Sequence, residues 1–583
     1  MITFLGRRPT GSPIPRPGHI PAAARLTVLV ILAATVGACT EQGGEPRNAL
    51  TPTATAAADA QDGGGGVFYS YLRQPESIDP GVAVDADDLA VVNQLFDSLT
   101  VSGPDLTLLP AAAASWEVNG PPDPADPQAP EPATVFTFHL RPDATFHDGT
   151  PVTAESFVRG WQRIVDRTSS EPSPTFYLLE TVKGFEDAQA GGELSGVMAV
   201  DDHTLRVELT TPFAEFPALV AHPTLAPVPP AAVDDADAFG RQPVGNGPFR
   251  LAEPWQPGRS RGLRLAAYED HPDDGPIIDQ LVYRIYQGDG APAEGYDDFR
   301  NGTLDVAPIP GGRMMRAVEQ FGRSDDGYTG PGVVDGIKLI TAFYGFDTEK
   351  PPFDDPAVRQ GLSLLIDRRA IVEEVVGEGR AVATSVVPPG IPGYEPAACA
   401  ACDFDPGRAK QLLDGKVGPD RPVELVIWQA ADHEDVAARV ARDVNATLGE
   451  GSLTVRTLAH GEWLDAIRAG QAAFFLSGWV AEYASAETFL YSLFHQGRIG
   501  SDNLTRYKHP QVNELLDRAR RELDAATRAE LYQQAETIVL QDMPVAPLYF
   551  YRHQRVVGER VRGFRLDPLG EVDMTVVTLQ PTG

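Results

Sequence analysis

Residues 135–165 read VFTFHLRPDATFHDGTPVTAESFVRGWQRIV, and this stretch decides the fold class. Val135–Leu140 alternates apolar and polar residues, as a half-buried strand does. A turn at 147–149 separates this strand from a helix that begins after Thr153, a favourable N-cap residue. The buried stripe of that helix is formed by Phe157, Trp161 and Ile164. The stretch therefore predicts a strand–turn–helix unit.

The same alternation of strands and helices continues along the chain. Further strands are predicted at 67–72, 205–209, 281–286, 423–428 and 544–551. Further helices are predicted at 90–99, 357–366, 367–376, 434–448, 512–523 and 528–539. Strands alternating with helices over this length indicate an α/β architecture with at least two lobes. No repeat of roughly 20–50 residues is visible, which excludes solenoids and propellers.

Composition and charge narrow the class of protein further. The chain has 583 residues, and 42% of them are hydrophobic, which is ample for folded cores and excludes global disorder. It carries 81 acidic and 48 basic residues, for a formal charge of −33. Because phosphate binding needs a basic face, we expect no nucleic-acid partner.

The N-terminus has the features of an export signal. Residues 26–38 (LTVLVILAATVGA) are uncharged and too short to cross a bilayer, which needs about 20 apolar residues. The following VGAC at 36–39 resembles a bacterial lipobox, in which the cysteine, here Cys39, is lipidated and becomes the new N-terminus. Its small residues also suit cleavage by an ordinary signal peptidase, and this alternative stays open. Residues 40–66 predict a flexible tether with a reach of about 30 Å, so we expect the body to be soluble and extracytoplasmic.

Sequence motifs of common enzymes are missing. The chain contains no GxSxG, GxxxxGK[ST] or HExxH motif, and no GxGxxG between a strand and a helix. We therefore expect no enzymatic activity, no metal and no cofactor, although a triad assembled from distant residues stays possible. Cys399 and Cys402 form a lone CxxC in a proline-rich loop rather than at a helix start, which favours a loop disulfide over a redox or zinc site.

Several segments resemble, in order, the peptide-binding class of bacterial extracellular solute-binding proteins, family 5. The segment that resembles this family most specifically is FHDGTPVTAE at 146–155. The others are QPESIDP at 74–80, ASWE at 114–117, FTFHLR at 136–141, PVGNGPF at 243–249, PPFDD at 351–355, VRQ at 358–360, GWVAEY at 478–483 and PLY at 547–549. Together they extend over the whole body of the chain.

The resemblance implies a two-lobed, periplasmic-binding-protein-like clamshell of class II, with an extra domain inserted in lobe I. The expected divisions are a signal peptide at 1–38, a tether at 39–66, lobe I at 67–80, 198–285 and 548–583, the inserted domain at 81–197, and lobe II at 286–547. The strands at 281–286 and 544–551 are the expected hinge crossings.

The implied function is that of a monomeric receptor, lipid-anchored at the outer face of the bacterial cytoplasmic membrane. Such a receptor captures a peptide ligand between its lobes and delivers it to the permease subunits of an ABC importer. Within the same family, receptors for nickel chelates, haem, sugars or opines are the nearest alternative. A secreted hydrolase or a sensory lipoprotein is a more distant one.

The resemblance also implies ligand contacts at Glu482, Trp479, Tyr483 and Tyr551. In the family's peptide binders, an aspartate in a W-x-A-D-Y segment holds the α-amino group of the ligand. The corresponding acid here is Glu482, which keeps the charge but moves it by one methylene. We therefore expect Glu482 to be the amine anchor, with Trp479 and Tyr483 flanking it.

The lipobox generates the first testable prediction. If Cys39 carries two acyl chains, the protein should fractionate with membranes, because two chains anchor stably where one does not. We expect the Cys39→Ala variant to move to the soluble extracytoplasmic fraction in cell fractionation. Equal membrane association of the variant and the parent protein would refute lipidation at Cys39.

Overall fold

A computed structural model describes residues 65–120, 130–169, 172–273, 275–396 and 399–581. The predicted signal peptide, Cys39 and nearly all of the tether lie outside these residues. The described chain is built around two large mixed sheets, which we name sheet I and sheet II, and a smaller sheet III.

Sheet I has seven strands and is formed by segments that are widely separated in sequence. Its central strand, Val67–Arg73, pairs in parallel with Gln280–Tyr286 along its whole length. Across the sheet, the order of strands is Gly332–Val334, Arg555–Val557, Val306–Pro308, Val67–Arg73, Gln280–Tyr286, Gly262–Ala267 and Phe249–Leu251. Most of these pairings are long-range, so this sheet is specified by tertiary contacts rather than by hairpin turns.

Sheet II has six strands and combines an antiparallel half with a parallel half. The strand Ile337–Phe346 pairs antiparallel with both of its neighbours, while Val423–Trp428 pairs in parallel with its two neighbours. The order of strands is Arg380–Val382, Val545–Arg552, Ile337–Phe346, Phe474–Val480, Val423–Trp428 and Leu453–Leu458. The apolar run Phe474–Leu476 lies in an inner strand of this sheet and is fully buried in the surrounding core.

Sheet III includes the strand of the strand–turn–helix unit predicted above, and it extends beyond 81–197, the range predicted for the inserted domain, because Thr204–Glu208 also belongs to it. Its four strands are ordered Ala113–Val118, Val135–Leu140, Thr204–Glu208 and Val197–Asp201. The helix Ala154–Val165 begins with a capping box between Thr153 and Ser156. Its predicted stripe, Phe157, Trp161 and Ile164, is buried against this sheet.

The remaining elements are mainly helices that cover the sheets. The α-helices are Ala86–Leu95, Ala154–Val165, Phe185–Gln189, Phe216–Leu219, Ala231–Asp234, Ala236–Arg241, Ala291–Arg300, Met314–Phe321, Pro356–Ser363, Arg368–Ala370, Pro406–Leu413, Ala431–Leu448, His460–Arg468, Ala486–Phe494, Pro510–Arg521 and Ala525–Asp542. Ile371–Val376 is a π-helix, and the 3₁₀ turns are Phe176–Leu179, Pro223–Leu225, Gly377–Gly379, Gln496–Arg498 and Met574–Val576. Two strand pairs complete the fold, Thr100–Ser102 with Leu108–Pro110 and Val561–Arg562 with Thr578–Leu579.

Glycines in the PVGNGPF segment explain why the first helix ends earlier than predicted. The helix covers Ala86–Leu95 rather than 90–99. Gly247 donates its backbone N–H to the carbonyl of Leu95, which ends the helix at that residue. A side chain at Gly245 would bring its Cβ to 1.8 Å from that carbonyl oxygen, so only glycine fits there. The backbone N–H of His147 donates to the carbonyl of Gly245, which joins two of the segments that carry the family resemblance.

The chain crosses between sheet I and sheet II at two neighbouring places. One crossing is at residues 335–336, between Gly332–Val334 and Ile337–Phe346. The other is at 553–554, between Val545–Arg552 and Arg555–Val557. The backbone N–H of His553 donates to the carbonyl of Gly336 at 2.8 Å, so the two crossings are hydrogen-bonded to each other.

These crossings differ from the predicted ones. Gln280–Tyr286 lies wholly in sheet I, and Val545–Arg552 lies wholly in sheet II. Val306–Pro308 and Gly332–Val334 pair in sheet I, although the predicted range of lobe II, 286–547, includes them. Each of these two strands has only three residues, which is too short for a periodicity signal.

A disulfide joins Cys399 to Cys402, the arrangement favoured from the sequence. Both cysteines are buried within the core that surrounds sheet II, rather than exposed at the tip of a loop. The carbonyl of Cys402 accepts a hydrogen bond of 2.7 Å from the guanidinium of the buried Arg368. The disulfide-bonded loop is therefore part of the packing of sheet II.

A buried carboxylate, Glu536, holds the chain that follows the strand Arg380–Val382. The side chain lies on the helix Ala525–Asp542 and accepts the backbone N–H groups of Val386 and Val387 at 2.7 and 2.9 Å. Burial raises the pKa of Glu536 to about 7, and these two hydrogen bonds act in the opposite direction. Because the native state binds this proton more tightly than the unfolded chain, the contribution of Glu536 to stability is most favourable at low pH and falls as the pH rises towards 7.

This pKa shift predicts that the unfolding free energies of the parent protein and of Glu536→Gln depend differently on pH. Between pH 5 and pH 8 we expect the parent to lose about 2–3 kcal/mol more unfolding free energy than the variant, which cannot ionise at this position. Urea denaturation at the two pH values measures the difference. The exposed Glu530, on the same helix, provides the matched control Glu530→Gln, which should follow the parent. Parallel losses in all three proteins would show that Glu536 does not titrate in this range.

Candidate functional site

A cavity of about 480 Å³ lies where sheet I, sheet II and the inserted domain meet. Sheet I contributes Tyr71 and Tyr283, the inserted domain contributes Tyr177, and the inner strand Phe474–Val480 of sheet II contributes Trp479. Volumes of this order and mixed apolar and charged walls are typical of small-molecule and peptide sites. We take this cavity as the candidate binding site.

Glu482 lies in the wall that sheet II contributes. It follows the strand Phe474–Val480, and the backbone N–H of Ala481 donates to Leu339 at 2.9 Å, which fixes the chain at that point. The hydroxyl of Tyr177 donates to Glu482 Oε1 at 2.5 Å. Burial raises the pKa of Glu482, and the hydrogen bond from Tyr177 acts in the opposite direction. A half-buried carboxylate with a neutral partner can still bind a cation.

Trp479 and Tyr483 line the cavity beside Glu482, as expected. The indole N–H of Trp479 donates to the hydroxyl of Thr488 at 3.1 Å. The hydroxyl of Tyr483 donates to the carboxylate of Glu487, so this polar group is directed away from a ligand. Both rings therefore form fixed walls rather than polar contacts.

Tyr551 lies apart from the other predicted contact residues. It is in the strand Val545–Arg552, and the guanidinium of Arg380 covers its ring at 3.9 Å from the ring centre. Tyr551 is not among the residues that line the cavity, although Trp479, Glu482 and Tyr483 are. The sequence pattern could not reveal this contact because Arg380 is distant in sequence.

A buried network of charges and hydroxyls lies behind Glu482 and was not visible in the sequence. Arg520 pairs with Glu487, and both side chains are almost inaccessible to solvent. Glu215 precedes the helix Phe216–Leu219, and it accepts hydrogen bonds from Ser485 at 2.6 Å and from Tyr532 at 2.8 Å. This network joins the helix Phe216–Leu219, which packs beside sheet III, to the segment that follows Glu482.

The wall from sheet I and its neighbours carries further ionisable groups. Glu571 accepts a hydrogen bond from Asn93 at 2.8 Å, and burial together with the nearby Asp567 raises the pKa of Glu571 to about 7. Lys338, Arg555 and Asp87 also line the cavity. The site is therefore a charged cleft with apolar sides. In the described part of the chain, no helix is long and apolar enough to cross a membrane.

Comparison with curated proteins gives relatives of similar length. The chain is 30% identical over 518 residues to an Escherichia coli K12 protein named "Probable deoxycholate-binding periplasmic protein YgiS", covering 85% of this chain and 90% of the relative. It is 27% identical to the periplasmic murein peptide-binding protein MppA of the same organism, covering 89% and 93%. It is 29% identical to the periplasmic oligopeptide-binding protein OppA of E. coli K12, covering 85% and 89%.

Solved structures of binding proteins have a fold similar to that of this chain. The unliganded open form of the murein tripeptide-binding protein MppA superposes with a TM-score of 0.74 at 25% identity, covering 88% of this chain and 97% of that one. The complex of Haemophilus influenzae OppA with the peptide RPPGFSPFR superposes with a TM-score of 0.65 at 25% identity, covering 88% and 99%. The two-lobed α/β clamshell with an inserted domain is therefore confirmed.

The model of the middle region of family 5 of the bacterial extracellular solute-binding proteins matches residues 107–501. This region includes sheet III, most of sheet II and the wall that bears Glu482. The match confirms the resemblance drawn from the motifs, and it describes a family of solute-binding proteins rather than of enzymes. The chain belongs to the bacterial extracellular solute-binding proteins of family 5.

Proposed function

We propose that this protein is an extracytoplasmic lipoprotein that captures peptides in its interlobe cavity and delivers them to an ABC permease. The observation that carries the proposal is a half-buried carboxylate, Glu482, in a cavity bounded by both large sheets. The names of several relatives support it, since MppA is named as binding murein peptides and OppA as binding oligopeptides.

Capture by hinge closure is supported by the two crossings. Only residues 335–336 and 553–554 connect sheet I to sheet II within the described part of the chain, so the lobes can rotate about this pair of short segments. A ligand that contacts both lobes binds the closed arrangement more tightly than the open one and shifts the equilibrium towards it. A permease can then distinguish the loaded receptor from the empty one. These crossings also argue for lobe boundaries at 335–336 and 553–554, with the inserted domain as part of lobe I.

The proposed amine anchor follows from electrostatics. A peptide α-ammonium that enters the cavity loses water, and only an opposite charge can compensate for this loss. Glu482 supplies that charge, while Trp479 and Tyr483 provide fixed walls on either side. Tyr177 steadies one carboxylate oxygen and leaves the other for the ligand. The ligand therefore enters with its free amino end towards Glu482.

The anchor predicts a loss of peptide binding in Glu482→Gln. Tri-, tetra- and penta-alanine with free amino ends should bind the parent protein, and the variant should bind them more weakly by about 3 kcal/mol, because it leaves the ammonium unpaired. Isothermal titration calorimetry measures the difference. N-acetylated versions of the same peptides should bind the parent poorly. The exposed Glu514, on the helix Pro510–Arg521, offers the matched control Glu514→Gln, which should bind as the parent does.

The pH dependence of peptide affinity gives an independent check of the proposed role of Glu482. Since burial raises the pKa of Glu482, acidification protonates it before ordinary surface glutamates, and affinity for free-amine peptides should fall as the pH is lowered. Glu482→Gln should lack this component. Equal affinity for acetylated and free-amine peptides would contradict the amine anchor.

A non-peptide ligand is the second candidate. It is favoured by the 30% identity to a relative named for deoxycholate, an apolar carboxylate without an amino group. Such a ligand would use the apolar walls of the cavity but not the charge of Glu482. Titration of deoxycholate into the parent and into Glu482→Gln separates the candidates, because this ligand should bind both proteins equally.

A further inference from the structure

A second groove, of about 430 Å³, lies on the outer side of the helices that cover part of sheet I. Two helices form it, Ala291–Arg300 and Met314–Phe321, and their buried faces share one apolar core with strands of sheet I. We name this feature the basic groove. The residues that line it are Tyr296, Asp297, Arg300, Arg313, Arg316 and Gln320.

The basic groove holds three arginines and a single carboxylate. Asp297 lies 2.9 Å from Arg313 and 3.8 Å from Arg300, whereas Arg316 has no acidic partner among the residues that the structure describes. This local excess of positive charge contrasts with the formal charge of −33 on the whole chain. Guanidinium groups donate two hydrogen bonds at once to phosphate oxygens. The groove is therefore suited to a phosphate-bearing anion.

The topology of sheet I places one end of the basic groove at a particular edge of that sheet. The strands Gln280–Tyr286 and Val306–Pro308 both run parallel to Val67–Arg73, and the helix Ala291–Arg300 connects them. A helix that connects two parallel strands returns the chain to the edge where these strands begin. Arg300, the last residue of this helix, therefore lies towards the edge of sheet I at which Val67–Arg73 starts.

The chain also enters the body at that edge. Gly65 is the first described residue, and it precedes the strand Val67–Arg73 directly. Asp305, five residues after Arg300, donates its backbone N–H to the carbonyl of Tyr69 at 2.8 Å, which ties the end of the groove to the start of this strand. The predicted tether at 40–66 has a reach of about 30 Å from Cys39, the predicted site of lipidation. The edge near the basic groove is thus the part of the body closest to the proposed membrane anchor.

Apolar side chains are exposed beside the same features. Met315, between the two arginines of the second helix, is 66% exposed. Ile277 and Val576 are exposed near the entry point, where Asp279 donates its backbone N–H to the carbonyl of Gly66. Exposed apolar side chains next to cationic ones are typical of surfaces that lie against the headgroups of a bilayer.

We propose that the basic groove docks the receptor on its own membrane by binding the phosphates of anionic lipid headgroups. This inference goes beyond capture of the ligand, although it rests on the membrane anchor of the proposed function. The anchor keeps the body near the surface, and the groove then decides which side faces the lipid. Because the rest of the chain is acidic, other orientations are repelled by an anionic surface.

The test measures which side of the tethered body approaches the lipid. The chain from residue 40 onward carries an N-terminal polyhistidine tag and is bound to vesicles that contain nickel-chelating lipid. A fluorophore is attached at Met315→Cys, and quenching by lipids with a spin label in the headgroup reports its proximity. Cys399 and Cys402 are disulfide-bonded, so the introduced thiol is the one that reacts. Val455→Cys, on the exposed edge strand Leu453–Leu458 of sheet II, gives the comparison position.

The basic groove predicts a difference between the two labels that depends on lipid charge. With phosphatidylglycerol and phosphatidylcholine in equal parts, the label at 315 should be quenched strongly and the label at 455 weakly. Pure phosphatidylcholine or high salt should remove the difference. Arg300→Gln and Arg316→Gln should each shift the equilibrium away from the quenched state about fivefold, since each arginine contributes at an anionic surface. Arg442→Gln, on the helix Ala431–Leu448 with 68% of its side chain exposed, is the matched control and should behave as the parent does.

The outcomes distinguish this inference from the proposed function. The tag replaces the acyl chains, so strong quenching at 315 supports the groove even if Cys39 proves not to be lipidated in cells. Equal quenching at 315 and 455 in the mixed vesicles, or quenching at 315 that neither arginine variant reduces, overturns docking on lipid. In that case an acidic protein surface becomes the expected partner of the groove, while peptide binding and lipidation keep their separate tests.

Discussion

The backbone hydrogen bond from His553 to Gly336 joins the two crossings on which the whole architecture depends. Sheet I and sheet II are built from distant parts of the chain, and within the described residues the chain passes between them only at these two places. Neighbouring contacts strengthen the junction. Arg552 donates to the carbonyl of Asp335 at 2.8 Å, and the hydroxyl of Tyr328 donates to the carbonyl of Ile337, also at 2.8 Å. A side chain at Gly336 would overlap the ring of Tyr328, so the crossing is tightly packed.

The charges of the cavity are arranged around this junction. Lys338 and Arg555 follow the two crossings directly, whereas Glu482 lies where sheet II meets the inserted domain. The walls of the cavity therefore carry a carboxylate in one part and two cations in another. Charged groups that are kept away from water without opposite charges destabilise a protein.

Local features of the fold were predictable from the sequence, and long-range ones were not. Thr153 and the stripe of Phe157, Trp161 and Ile164 identified a helix through spacing and capping alone, and the structure confirms it. The motif around Glu482 indicated three residues that line the cavity, because these residues are contiguous in sequence. Tyr177, Lys338 and Arg555 carry no such signal, since they are far apart in sequence and each belongs to a different element that lines the cavity. The crossings were misplaced for the same reason: strands of three residues give no periodicity, and their partners are hundreds of residues away.

The proposed function requires the two lobes to close around a bound peptide. Small-angle X-ray scattering, recorded before and after saturation with the alanine peptide that calorimetry shows to bind, tests it most directly. If the crossings act as a hinge and the ligand contacts both sheets, the radius of gyration should decrease on binding. A peptide that binds with measurable heat while the radius of gyration stays the same would contradict capture by closure.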